Sequence, residues 1–198
     1  KALQATVYYQ VGTTGWGKEF GGRPTAVWDP KPPFTYTTAR GAVTITKYTG
    51  PGGEVAIPDR ITGLPVTVIG DNAFYGCATM TAVTIPNSVT VIGAGAFANC
   101  SSLGKITIGS AVTRIGDGAF IESNGLTAFL VDPANPAFAS GKDGVMFDKT
   151  MAKLLRCPPG KAGNYAVPAG VTTIGPSAFA GCHSLANVTT SNSVTSIE

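Results

Sequence analysis

Residues 89–100 read Val89-Thr90-Val91-Ile92-Gly93-Ala94-Gly95-Ala96-Phe97-Ala98-Asn99-Cys100, and this stretch recurs along the chain. Upstream it stands as Val66-Thr67-Val68-Ile69-Gly70, Ala73-Phe74 and Gly76-Cys77; downstream as Val112-Thr113-Arg114-Ile115-Gly116 and Ala119-Phe120. Ile69, Ile92 and Ile115 are spaced 23 residues apart, and after a gap of 59 the frame resumes at Ile174-Gly175, Ala178-Phe179 and Gly181-Cys182, with Ile197 one period later. A repeat of this length predicts a solenoid, in which no coil buries its apolar face alone and each must stack on its neighbours.

A second set of positions completes each coil. Met80, Val83 and Ile85 have the spacing LxxLxL, ended by Pro86; Leu103, Ile106 and Ile108 repeat it, then Leu126, Phe129 and Val131, then Leu185 and Val188. Alternation through Val83-Thr84-Ile85 is that of a half-exposed strand. Val89 to Ile92 reads as the return side, Gly93 as a tight bend, and Ala96-Phe97 as part of a one-turn helical piece. The predicted fold class is therefore a β-rich α/β solenoid with short strands and one-turn helices between them. Phe74, Phe97, Phe120 and Phe179 form its expected inner column, each worth about 1.5–3 kcal/mol of burial.

The combined pattern, LxxLxLPxxVxxIGxxAFxxC, resembles the BspA-type (Treponema-class) bacterial leucine-rich repeats over about residues 55–198. The resemblance implies a leucine-rich-repeat right-handed superhelix of 23-residue coils with the LxxLxL strands on its concave side. The stretch from Asp143-Gly144-Val145-Met146-Phe147-Asp148-Lys149 through Leu154-Leu155 to Pro158-Pro159-Gly160 resembles an insert common in that family. From the residues it reads as a β-hairpin at about 140–160, with Val145 and Phe147 alternating, Lys149-Thr150 turning and Leu154 returning. Tyr165, Val167 and Pro168 restart the frame, so the insert lengthens one coil to 36 residues.

The first 30 residues read differently. Thr6 to Tyr9 and Pro24 to Trp28 are predicted strands, Thr14 to Phe20 a helical turn, and Asp29-Pro30-Lys31-Pro32-Pro33 a linker by composition. The segment resembles the closing unit that follows a run of such repeats, which would place Trp16, Phe20 and Trp28 over the end of a preceding stack. On this reading, residues 1–30 close an upstream repeat module and 31–198 form a second one. The chain opens at Lys1 without a charged leader and apolar core, so no signal peptide is read here, and both ends look cut from a longer protein.

Composition narrows the function classes. Of 198 residues, 43% are hydrophobic and 13% charged, enough for an ordinary core under a surface of Thr, Ser, Asn and Gly. A net charge of +3 is too small and scattered for a nucleic-acid or membrane surface, and no apolar run approaches the ~20 residues of a membrane span. The single histidine, His183, stands at a variable turn position, and no HxxxH, GxSxG, phosphate-loop or Ca²⁺-loop spacing occurs. The cluster from Gly12 to Gly17 reads as a turn, and Asp132, Asp143 and Asp148 as solvated turn residues. No catalytic, cofactor or metal residue is therefore expected, and no enzymatic activity.

Cys77, Cys100 and Cys182 share one coil position, filled by Ser123 in another coil, and read as a column of small buried side chains. Equivalent side chains on parallel strands ~4.8 Å apart do not converge on the ~3.8 Å Cβ separation of a disulfide, so free thiols are expected at Cys77 and Cys100. Cys157 has no repeat partner in this reading, and all four thiols are expected to be free.

Two functions remain open. The resemblance implies a non-catalytic binding or adhesion module of a bacterial cell-surface or secreted protein, located outside the cell, whose partner is a protein or glycan on a cell or matrix surface. The alternative is a structural spacer, or an accessory module of a larger secreted enzyme. The candidate contact surface is the outward column Thr84, Thr107, Leu130 and Thr189, flanked by Lys105 and Asn187. Its threonines are equally explained by strand propensity, and Leu130 is either an apolar anchor for a partner or a packing contact for the hairpin.

Overall fold

The computed structural model describes residues 7–10, 19–20, 23–28 and 32–198, in two units, Lys1–Pro32 and Pro33–Glu198. In the first, Val7–Gln10 pairs parallel with Arg23–Trp28, which pairs antiparallel with Glu19–Phe20. The helical turn expected over Thr14 to Phe20 is thus corrected at its end. Pairing gives the Glu19–Phe20 backbone its hydrogen bonds, whereas a lone helical turn carries the full nucleation cost. Residues 14–18, the Gly12–Gly17 cluster and the side chains of Trp16, Phe20 and Trp28 lie outside the described residues.

The second unit is a β-solenoid of about seven turns. One parallel ladder runs through Gly53–Ala56, Met80–Thr84, Lys105–Ile108 and Ala128–Val131. A second runs through Ala42–Tyr48, Leu64–Ile69, Val91–Ile92 and Arg114–Ile115, with Phe34–Ala39 antiparallel at its outer side. Register follows the sequence period: Ile69, Ile92 and Ile115 are partners, as are Val83, Ile106 and Phe129. Between the ladders Phe74, Phe97 and Phe120 are buried and stacked, with centroids 4.8 and 5.8 Å apart and planes within 22°. Tyr48 extends the column, stacked 5.2 Å from Phe74.

Among the described residues there is no helix, which corrects the α/β class and the one-turn helices. The turns between ladders hold two left-handed residues four positions apart in each regular coil: Asn72 and Gly76, Gly95 and Asn99, Gly118 and Glu122, Ser177 and Gly181. A right-handed helical turn cannot contain them. The amides between them alternate in use. Ala73, Tyr75 and Cys77 donate within their coil, to Gly70, Asn72 and Phe74, whereas Asn72, Phe74 and Gly76 donate to Ala94, Ala96 and Ala98 of the next. The backbone is thus shared between turn and stack, and helical bonding would take the amides that join coils. Gly93 also has a different reason from the one expected. Its φ is not positive; a Cβ there would lie 2.6 Å from both Asp71 N and Gly70 C. It is glycine because the coils touch there.

The regular stack stops at Asn135, which is 23 residues after Val112 and stands in the column of Val89 and Val112. Fully buried, it donates through Nδ2 to the Gly109 and Val112 carbonyls and accepts through Oδ1 from the amides of Ala137 and Phe138. The chain then forms Phe138–Ser140, Met146–Asp148 and Lys153–Arg156 as an antiparallel meander. Lys153–Arg156 then opens a further parallel ladder with Thr173–Ile174 and Ser196–Ile197, in one sheet with the meander. A separate two-stranded ladder joins Gly163–Ala166 to Leu185–Thr189.

Cys157 has a place in the frame after all. Its amide donates to the Ala178 carbonyl as that of Phe97 donates to Ala119, so it occupies the phenylalanine position of the coil built by the hairpin. The sequence hid this because Cys157 stands only three positions after Leu154, where Phe74 stands five after Ile69. The core is correspondingly divided: Met146 packs with the coils before it, Val145 and Phe147 with those after.

Candidate functional site

The proposed contact column is built by strand register. Thr84 pairs with Thr107 and Thr107 with Leu130, so their outward side chains form one ladder with Ala56 before Thr84. Thr84 is exposed, Thr107 half-buried, and Leu130 is 45% exposed, which makes it one of the few large apolar side chains open to solvent. Lys105 is exposed in the adjacent position, between Ala82 and Ala128. Asn187 and Thr189 do not join this ladder. They pair with Asn164 and Ala166 in the two-stranded sheet beyond the hairpin, and Asn187 Nδ2 donates to Asn164 Oδ1 at 3.0 Å. The expected single column is therefore split, because the hairpin meander follows Ala128–Val131. Val188, read as inward, is 41% exposed on the last strand of that small sheet.

An open recess of about 410 Å³ adjoins the ladder, lined by Thr84 and Thr107 together with Asp59, Asn87 and Asp132. Asn87 Oδ1 accepts from the Ser110 amide, and Asp132 Oδ1 from the Ala134 amide. The sequence reading missed this acidic end because it followed only the strand bodies. Asp132 stands 23 residues after Gly109 and 46 after Pro86, immediately past the strands, which was the available signal. Threonine hydroxyls and carboxylates together offer many acceptors and few cations, an arrangement suited to hydroxyl- or amine-bearing ligands and unfavourable to anions.

A second recess, about 290 Å³, opens where the meander leaves the stack, with Phe138, Met146 and Leu155 as its floor and Asp117 and Arg156 at its rim. Arg156 donates to the Ser177 carbonyl at 3.1 Å; burial lowers its guanidinium pKa, and Asp117 works against that shift.

His183 is on the surface, 3.3 Å from Glu122 Oε1. Among the described residues no group of three His, Cys, Asp or Glu side chains could hold a metal ion. In the cysteine column, Cys100 Sγ donates to the Phe74 carbonyl and Ser123 Oγ to the Phe97 carbonyl. Burial pushes the Cys100 thiol up to about 12.

The model of the BspA type leucine rich repeat region matches in six copies, over residues 57–135 and 161–198. The chain belongs to that family. The unmatched interval from 136 to 160 contains the meander, so the BspA-type repeats flank it on both sides. No curated protein matches the chain. Among solved structures, the leucine rich repeat protein of T. pallidum is 22% identical, with a TM-score of 0.58 and 85% of each chain covered. A leucine-rich repeat protein from Bacteroides capillosus is 24% identical, with a TM-score of 0.48 over 81% of this chain and 95% of that one. Pneumococcal vaccine antigen PcpA is 18% identical, with a TM-score of 0.49 over 83% of this chain and 64% of that one. At these identities the T. pallidum protein shows a shared leucine-rich-repeat fold, and the other two add no further argument.

Proposed function

We propose that this BspA-type repeat unit is a non-catalytic binding module of a bacterial cell-surface or secreted protein, and that it adheres through the Thr84–Thr107–Leu130 ladder and the adjoining recess. The observation that carries this reading is Leu130: a large apolar side chain, 45% exposed, beside two threonines on a strand face whose other outward residues are Ala56, Ala82, Lys105 and Ala128. Stacked coils offer an extended surface, and Asp59 and Asp132 give one end of this one a negative character. The partner this favours is an extended polypeptide or a glycan that offers hydroxyl or amine donors and one apolar patch. Extracellular location and the absence of enzymatic activity belong to the same reading, and membership of a bacterial repeat family supports them. Among the described residues no helix is long and apolar enough to cross a membrane.

The test is solid-phase binding of the chain to matrix proteins and mucin-type glycans, repeated with Leu130→Asp, Thr107→Lys and the double variant. We expect any partner found to bind the folded double variant at least tenfold more weakly. Equal binding would move the contact off this face, and no binding to any member of the panel would favour a spacer or accessory module.

A further inference from the structure

In the column that contains Cys77, Cys100, Ser123 and Cys182, the last three share one geometry. The side chain at this position turns back to the carbonyl of the residue at the phenylalanine position of the preceding coil. Cys100 Sγ lies 3.1 Å from Phe74 O, Ser123 Oγ 2.6 Å from Phe97 O, and Cys182 Sγ 3.6 Å from Cys157 O. In the first two cases the residue reached is phenylalanine. In the third it is a cysteine, because the shortened turn after Leu154 puts Cys157 where a ring would be. Cys182 Sγ is also 3.5 Å from Pro158 O, so its thiol lies against the Cys157–Pro158 backbone. Both are free thiols, with Cys157 buried and Cys182 half-buried.

We infer that Cys157 and Cys182 form a covalent modification site: an intrachain disulfide that clamps the coil built by the hairpin to the coil after it. The argument that separates Cys77 from Cys100 does not apply here. Those two hold equivalent positions on successive coils and point the same way; Cys157 and Cys182 hold different positions, and Cys182 Sγ is turned onto Cys157 itself, 3.6 Å from its carbonyl.

The oxidant required is a small-molecule disulfide. Cys182, the more accessible thiol, attacks one sulfur of that disulfide as its thiolate and releases one thiolate, leaving a mixed disulfide at Cys182. Cys157 then attacks Cys182 Sγ, its proton passing to the second departing thiolate. Two protein thiols and one external disulfide become one protein disulfide and two external thiols, with two electrons transferred. Within the pair Cys182 is the more acidic, first through the hydrogen bond from Cys157 and then through the charges of Arg156 and Lys161. The same hydrogen bond and burial hold Cys157 well above the ordinary thiol value. Capture of Cys182 by the oxidant removes the hydrogen bond that opposes ionisation of Cys157.

The experiment is incubation of the full chain with oxidised glutathione at pH 8, followed by thiol titration in denaturant and non-reducing peptide mapping. The expected result is a fall from four free thiols to two, a Cys157–Cys182 linked peptide, and a rise of about 5 °C in the unfolding midpoint. Cys157→Ala should stop at a stable glutathione adduct on Cys182, and Cys182→Ser should leave Cys157 unmodified. Cys182 is half-buried, so the second variant is the one least exposed to a folding defect. Four remaining thiols, a persistent adduct on wild-type Cys182, a link through Cys77 or Cys100, or only intermolecular dimers would each overturn the inference.

Discussion

Gly93 and Gly76 occupy corresponding turns of successive coils and are glycine for different reasons. At Gly93 a Cβ would press on backbone atoms of the preceding coil at 2.6 Å, whereas at Gly76 there is open space but φ is +70°. Alanine at Gly76 therefore costs only the left-handed strain, about 1–2 kcal/mol, while alanine at Gly93 must push two coils apart, about 3 kcal/mol. Urea unfolding of the two variants checks the order; a smaller loss at Gly93 would mean the stack yields there freely. Phe97 is the residue the period identified most directly. It is fully buried between the rings of Phe74 and Phe120, so Phe97→Ala should cost about 3–5 kcal/mol, and a loss under about 1 kcal/mol would take it out of the core. Apolar positions were legible because burial repeats with the chain. The cause of each glycine was not, because closeness to the next coil leaves no mark that separates it from positive φ.

The elements tell a similar story. Strands were legible from alternation, but the turns were misread as helical because Ala-Phe pairs after glycine fit either form until inter-coil hydrogen bonds are counted. Asn135 was hidden more thoroughly. In Asp132-Pro133-Ala134-Asn135-Pro136 it looks like ordinary turn chemistry, yet it holds the valine position of the frame and ties four backbone groups with its side chain. Asn135→Val restores the column's own residue and should nevertheless destabilise by at least about 2 kcal/mol, since the Ala137 and Phe138 amides lose their acceptor in a buried site. Equal or greater stability by thermal unfolding would show that water replaces it. The hairpin has its own pH response. Burial raises the Asp148 carboxyl, but hydrogen bonds from Thr150 Oγ1 and the Lys153 amide outweigh this and hold it below the ordinary carboxylate value. A depressed native pKa contributes stability above the unfolded value of ~3.9 and loses it as pH falls through the native value. Asp148→Asn should therefore lower stability at neutral pH and flatten the acid limb of the unfolding profile, meeting wild type at low pH; an unchanged acid limb would remove Asp148 from it.

At the scale of the whole solenoid, the hairpin does more than lengthen one coil. Met146 belongs to the core of the coils before it, and Val145 and Phe147 to the core of those after. One three-residue strand, Met146–Asp148, thus begins a wall between two hydrophobic clusters. In a solenoid, stability is a sum of coil terms and nearest-neighbour interfaces, so weakening one side of that wall should be felt mainly on that side. Both Met146 and Phe147 are buried, and truncating either removes a comparable apolar volume. Phe147→Ala is expected to raise native-state hydrogen exchange at the amides of Leu154, Gly175 and Val167, leaving those of Phe97, Gly93 and Ile85 near wild-type protection. Met146→Ala should reverse the pattern. The split columns of the candidate contact face follow from the same wall, since the ladder with Thr84, Thr107 and Leu130 stands on one side and Asn187 and Thr189 on the other. Equal acceleration of exchange across all of these amides in both variants would show that the two clusters unfold as one.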